Sequence, residues 1–213
     1  MSDEVNVIVL AAGNGSRMKS KTPKVLHNVA GKVMIDWVLD AVEPLSKNKP
    51  IMIVGVGAQR VQEHVGSRSE FVLQAEQLGT GHAVQQAKEH LAESTGVTLI
   101  MSGDTPMFQP ETLAEFVLEH NRSNNAVTVL TAVTDDPTGY GRIVRADDDT
   151  VIKIVEQKDA SITERRIQEI NTGVYIFDNK LLFEALALVK NNNVQGEYYL
   201  PDTLDILRQA GMQ

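Results

Sequence analysis

Gly13 and Gly15 sit beside Arg17, Lys19, Lys21 and Lys24, and no acidic side chain intervenes between Glu4 and Asp36. A glycine has no Cβ, so its backbone N–H can come close to an anion and its φ can turn positive. The cations beside it supply charge. Such a stretch suits the binding of a phosphate, and its positive charge is local, because the chain as a whole carries a formal net charge of -8. Two familiar phosphate loops do not fit. The mononucleotide loop needs Gly-x-x-x-x-Gly-Lys followed by Ser or Thr, a spacing absent between Gly13 and Lys24; the dinucleotide fingerprint needs a third glycine where Met18 stands.

Three further groups have chemistry open to them. Asp104 follows an apolar run at 97–101, and a carboxylate there is placed to hold Mg²⁺, which takes one or two carboxylates plus phosphate oxygens and water. The competing reading is a turn before Pro106, and the basic loop tips the balance toward a metal ligand. Gln74 and Gln77 carry amides that offer a donor and an acceptor on one plane, as reading a nucleobase requires. Their alternative is that of polar loop residues bonded to nearby backbone. His82 reads as a helix-start residue, since nothing near it in the sequence supplies a base-orienting partner. The acids Asp147, Asp148 and Asp149 have the spacing of a solvated hairpin tip.

The elements that must position these residues alternate strand and helix, which predicts an α/β fold with a mainly parallel mixed sheet flanked by helices. The near-continuous aliphatic run 5–10 reads as a central strand covered on both faces. Strands follow at 50–54, 71–73, 97–101, 126–133, 143–145, 151–155 and 174–177. Helical spacing covers 34–42, 58–65, a segment from His82 through about Leu91, 110–120 and 179–190, with a polar helix at 161–168 and a final helix that opens at Pro201. The expected organisation over 1–213 is one domain with a nucleotide-binding lobe at about 1–105 and a lobe at about 106–213 whose strands and loops cover a second substrate, a sugar by the resemblance given below.

Composition narrows the function. With no cysteine there is no disulfide, thiolate nucleophile or thiolate metal site. A net charge of -8 argues against a nucleic-acid partner, which calls for a broad basic surface, but leaves room for a polyphosphate held by one basic loop and a cation. No apolar run is long enough to span a bilayer and the start is acidic, so no membrane partner is expected and the cytoplasm is the default location. The oligomeric state stays open.

Leu10-Ala-Ala-Gly-x-Gly-x-Arg-Met18 followed by Pro23-Lys24 resembles the signature of the sugar-phosphate nucleotidyltransferases. Segments 74–80, 103–104, 136–143, Glu156 with Lys158 and Asp159, 169–173 and 195–199 follow in family order. Together they resemble the uridyltransferase half of the bacterial bifunctional N-acetylglucosamine-1-phosphate uridyltransferases, over essentially the whole chain. The resemblance implies a Rossmann-like nucleotidyltransferase fold. It implies an enzyme that makes UDP-N-acetylglucosamine and pyrophosphate from UTP and N-acetylglucosamine 1-phosphate, with Mg²⁺, for cell-wall precursor synthesis.

By the same resemblance, Leu10, Ala11, Ala12 and Gly13 hold the base and ribose side of UTP, and Gln74, Gln77, Gly79 and Thr80 read uracil. Arg17 faces the outgoing pyrophosphate, Lys24 the reacting phosphates, and Asp104 holds Mg²⁺. Gly141, Glu156, Asn171 and Thr172 bind the amino sugar. Departures from the family pattern are Ser102 for a tyrosine, which loosens one wall of the nucleotide site, Ser16 for a threonine and Val33 for a proline. The family's second metal ligand, an asparagine, falls beyond Gln213, as does its β-helix acetyltransferase half. The expectation is therefore weak Mg²⁺-dependent uridyltransfer and no acetyltransferase site or β-helix-driven trimer. A nucleotidyltransferase for another sugar phosphate or base, and a domain that binds a nucleotide sugar with little turnover, are the alternatives.

Overall fold

The computed structural model describes residues 4–13, 15 and 18–212. β1 (Val5–Ala11) carries aliphatic side chains on both faces because both faces are covered. A small hairpin, β2 (Asn28–Val29) and β3 (Lys32–Val33), leads into α1 (Met34–Val42). Then come β4 (Ile51–Val54), α2 (Ala58–Val65), β5 (Glu70–Leu73), α3 (Thr80–Gln85), α4 (Lys88–Leu91) and β6 (Val97–Ser102). The chain continues through α5 (Pro110–Ser123), β7 (Val127–Val133), β8 (Arg142–Arg145), β9 (Val151–Val155), β10 (Glu169–Asp178), α6 (Asn179–Leu186) and α7 (Asp202–Gln209).

One mixed sheet runs in the order β5-β4-β1-β6-β10-β8-β9, with β7 also paired to β10. Strands β5, β4, β1 and β6 are parallel, and β10 is antiparallel to β6, β7 and β8. Strand alternation sends Val7, Val9 and Ala11 into one core with α1, α2 and α5. Ile8 and Ala12 go into a second core with α3, α6 and α7. Where the parallel strands stop, at Ala11 and Ser102, the carboxyl ends open together, the position at which open α/β sheets bind ligands.

Several expected elements differ in extent. The polar stretch 161–168 forms a single 3-10 turn, Glu164–Arg166, instead of a helix. Ser161 and Glu164 bond reciprocally to each other's backbone N–H, Ile162 buries nothing at 77% exposure, and the Arg142 guanidinium takes the Arg165 carbonyl. Without an apolar stripe there is no packing to extend the turn. The helix expected over 179–190 ends at Leu186, where the bonds Leu188 N to Ala185 O and Val189 N to Leu186 O tighten the chain. The segment through Leu91 is broken into α3 and α4 by similar bonds at Gln86 and Ala87. Conversely, α5 continues to Ser123, because Asn124 in the left-handed region at φ 51° ends it. The strand expected at 174–177 spans Glu169–Asp178, with a bulge between Asn171 and Val174.

Candidate active site

Beyond β1 the chain alternates its last small residues across the sheet. Ala11 lines a cavity of about 340 Å³, Ala12 lines one of about 580 Å³, and Leu10 and Gly13 line both. Ser102, at the end of the neighbouring β6, is also common to the two. The two cavities adjoin along the carboxyl ends of β1 and β6, with Leu10, Gly13 and Ser102 between them.

The smaller cavity is the charged end. Gly15 has a φ of +55°, and a Cβ there would stand 3.0 Å from the Cβ of Lys24, so a glycine lets the loop fold back on the lysine. Lys24 opens a 3-10 turn after Pro23 and forms an ion pair with Asp104. Arg17 and Ser16 lie outside the described residues. The N–H of Gly103 donates to Leu10 O at 2.8 Å and the Thr105 hydroxyl to Ser102 O at 2.7 Å, so Asp104 rides a turn pinned to β1. Both sequence readings of Asp104 thus meet: it is in a turn, and its side chain lines the cavity. Burial opposes its ionisation, but hydrogen bonds from Lys24 and Ser102 outweigh that and hold its carboxyl below the usual carboxylate range. Sequence reasoning took Ser102 only as the loss of an aromatic wall; its hydroxyl donates to Asp104 Oδ1.

The larger cavity has two polar walls. On one, Gln74 is buried and its amide nitrogen donates to Gly79 O at 3.1 Å and meets His82 Nδ1 at 3.0 Å. Gln77 likewise donates to Gln74 O at 3.1 Å. The Gln74 amide nitrogen is therefore fully engaged inside the loop and Gln77 has one of its two N–H groups engaged, while among the described residues neither amide oxygen accepts a hydrogen bond. What they present is a pair of acceptors and one remaining Gln77 N–H. His82 sits inside α3 with Gln74 as a partner, contrary to the expectation that it had none nearby.

Gly79 has a φ of +110° and a Cβ on it would fall 2.5 Å from Tyr198 O. The N–H of Gly81 donates to that carbonyl at 2.8 Å, Tyr198 N donates to Leu78 O at 2.8 Å, and Leu200 N donates to the Thr80 hydroxyl at 3.0 Å. The 78–81 loop is thereby stitched to the segment before α7.

Glu156 and Asn171 form the other wall. Burial pushes the Glu156 carboxyl up, reinforced by Asp159, Asp202 and Glu197 and opposed by Arg142. Asn171 Oδ1 accepts from Gly173 N at 2.9 Å, which fixes its amide plane. Gly141 stands behind the pair: its carbonyl accepts from Asn171 N at 2.9 Å, and a Cβ on it would lie 3.1 Å from Glu156 Oε1. Thr172 lines neither cavity. Its hydroxyl donates to Leu130 O at 2.6 Å, within the sheet. Tyr175 and Glu197 also line the larger cavity. The only sequence signal for Glu197 was its place in the 195–199 segment, and Tyr175 read as an ordinary strand residue.

The fold and the site together define a nucleotidyltransferase domain, with a charged cavity beside a two-walled polar one. Residues 7–191 match the MobA-like NTP transferase domain, and the chain belongs to that family. It is 57% identical over 95% of its length to the bifunctional protein GlmU of Listeria innocua, covering 44% of that protein. Against the bifunctional protein GlmU of an Exiguobacterium species the figures are 54% identity, 96% of this chain and 45% of the relative. The chain thus spans slightly under half the length of these relatives. Among solved structures, UDP-glucose pyrophosphorylase in complex with UDP-glucose superposes with a TM-score of 0.76 at 15% identity, covering 99% of this chain and 89% of that one. A Bacillus anthracis protein provisionally assigned as a glucose-1-phosphate thymidylyltransferase gives 0.79 at 21% identity, covering 97% and 84%. At such identities these two show the fold alone.

Proposed function

We propose that this domain transfers UMP from UTP to N-acetylglucosamine 1-phosphate, giving UDP-N-acetylglucosamine and pyrophosphate. The observation that carries this is the adjacency of the two cavities: Lys24 and Asp104 line one, Gln74, Gln77, Glu156 and Asn171 line the other, and Leu10, Gly13 and Ser102 line both. A nucleoside triphosphate bridges the two, its phosphates on Lys24 and its base on the glutamine wall. The free amide oxygens of Gln74 and Gln77 suit the N3–H of uracil. Glu156 and Asn171 then face the hydroxyls and acetamido group of the sugar, with Gly141 supporting them from behind and Thr172 acting through the sheet.

The acceptor phosphate is already an anion, so its oxygen attacks the α-phosphorus without a general base. A new P–O bond forms, the bond to the β-phosphate breaks, and pyrophosphate leaves with the electron pair. Lys24 neutralises charge on the phosphates as the reaction proceeds, a task that positioning and electrostatics can carry alone. We assign Arg17 to the leaving pyrophosphate. A single carboxylate, Asp104, stands at the phosphate end, and among the described residues no cluster of three or more potential ligands exists. That fits Mg²⁺, which is held by one or two carboxylates with substrate phosphate and water completing its shell. When bound there it would offset phosphate negative charge. The partners in this reading are small molecules, in the cytoplasm; none of the described helices is long and apolar enough to cross a membrane.

Thymine shares the N3–H that the glutamine oxygens suit, so dTTP is the competitor to exclude. The deciding experiment is pyrophosphate release from UTP or dTTP with N-acetylglucosamine 1-phosphate or glucose 1-phosphate, with and without Mg²⁺, alongside Asp104→Ala. Mg²⁺-dependent turnover that prefers UTP and the acetylated sugar, and is lost in the variant, is the expected result. Preference for dTTP or glucose 1-phosphate redirects the specificity, and binding without turnover for any pair overturns the enzymatic reading.

A further inference from the structure

Tyr175 is 3% exposed, and its hydroxyl is buried and makes no hydrogen bond of ordinary geometry among the described residues. The residue sits in β10 opposite Ile100 of β6 and Val129 of β7, and its ring stacks on Phe177 with centroids 5.9 Å apart. Phe177 lies on the same face, packs into the same core and carries no hydroxyl. Packing alone is therefore satisfied by a phenyl ring at this point in the strand, and an orphaned buried hydroxyl is a cost.

Its surroundings suggest a use for it. Tyr175 lines the larger cavity together with Asn171 and Glu156. Burial raises its phenol's pKa, the Asn171 side chain pulls the other way as a hydrogen-bonding neighbour, and the Glu156 charge raises it further. Asn171 already has its amide oxygen held by Gly173 N. Glu156 does not: among the described residues no donor reaches its carboxylate, although it is largely removed from water. One cavity wall thus holds a buried donor with no acceptor and a carboxylate with no donor.

We propose that Tyr175 is a positioning residue for the acceptor sugar, its hydroxyl donating to the Glu156 carboxylate when the larger cavity is filled and fixing that carboxylate against the sugar hydroxyls. The inference rests on the function proposed above. It separates sugar binding from nucleotide binding, because the glutamine wall and Lys24 do not depend on this contact.

The test is Tyr175→Phe, which keeps the ring. KM for N-acetylglucosamine 1-phosphate should rise about five- to tenfold, as for the loss of one hydrogen bond to a charged group. KM for UTP should stay within about twofold of wild type, since Tyr175 lies away from the glutamine wall. The melting temperature should be unchanged or higher, because an unpaired buried hydroxyl has been removed. A merely structural hydroxyl predicts the opposite: a lower melting temperature with both KM values moving together. That result, or an unchanged sugar KM in Tyr175→Phe beside a normally active wild type, overturns the inference alone. A wild type that forms no UDP-N-acetylglucosamine overturns the function reading on which it rests, and this inference with it.

Discussion

Lys24 and Asp104 meet as an ion pair on the wall of the smaller cavity, so the ammonium suited to the phosphates rests on the carboxylate suited to a cation. In the proposed reaction substrate and metal would part them, the lysine turning to phosphate as a cation takes its place. The pair is half-exposed on the lysine side, 42% against 23% for the aspartate, so parting it costs little.

Lys24→Met should accordingly have opposite effects on metal and on turnover. Without nucleotide, Mn²⁺ affinity should rise about two- to fivefold, the worth of a partly exposed ion pair. Turnover should fall about 10²- to 10³-fold, the usual cost of one preorganised charge-stabilising group. Mn²⁺ titration by paramagnetic resonance and a pyrophosphate-release assay measure the two. An unchanged or weaker Mn²⁺ affinity would refute the exchange.

Gly79→Ala should damage both stability and nucleotide binding. The position has a φ of +110°, and the new Cβ would meet the Tyr198 carbonyl at 2.5 Å, a backbone atom that cannot rotate away. A loss of about 2–4 kcal/mol in unfolding free energy follows from strain plus overpacking. Because the same loop carries Gln77 and Thr80, UTP affinity should fall with it. Urea unfolding and calorimetric titration measure both, and a fully stable variant would show that the 78–81 loop is free to move away.

Thr172→Val separates a sheet role from a sugar role. The hydroxyl is committed to Leu130 O, so the variant should lose about 1 kcal/mol of stability, as for one intramolecular hydrogen bond. Its KM for the sugar phosphate should remain within about twofold of wild type, because no substrate contact is removed. A large rise in that KM without a stability change would return Thr172 to the sugar site.

Asp202 should make stability fall with rising pH. Its carboxyl is pushed up to about 6 from an ordinary 3.8 by burial and then by the charges of Asp159 and Asp205. Between those values the folded chain binds more protons than the unfolded one, so stability declines through that window and the full penalty is present above it. Asp202→Asn should match wild type near pH 4 and exceed it by about 1 kcal/mol at pH 7, after allowance for solvent screening of a half-exposed group. Urea unfolding at the two pH values decides the matter: an equal gain at both would mean packing, not charge.

Much of this architecture is written in local pattern. The run 5–10 is aliphatic on both faces because α1, α2 and α5 cover one and α3, α6 and α7 the other, and the helix at 58–65 appears with those bounds. Patterns weaken where one turn depends on its neighbours. The stretch 161–168 has helix-compatible residues but nothing to pack against, and β10 begins at Glu169 because β7 and β8 offer it ladder partners that no local window reveals.

The candidate site divides in the same way. Sequence alone determined which residues could serve: glycines where a backbone must approach an anion, Lys24 for charge, Asp104 for a hard cation, and Gln74 and Gln77 for a base edge. Those are properties of side-chain type and spacing. Only the tertiary structure decided what each still has to offer. The amide donors of Gln74 and one of the two on Gln77 are consumed by the loop, Thr172 is consumed by Leu130, and Ser102 is turned to Asp104. Tyr175 keeps an unspent donor among the described residues, in the cavity that Glu156 also lines. Hydrogen-bonding capacity is finite, and how much of it remains for a ligand depends on neighbours that come from distant parts of the chain.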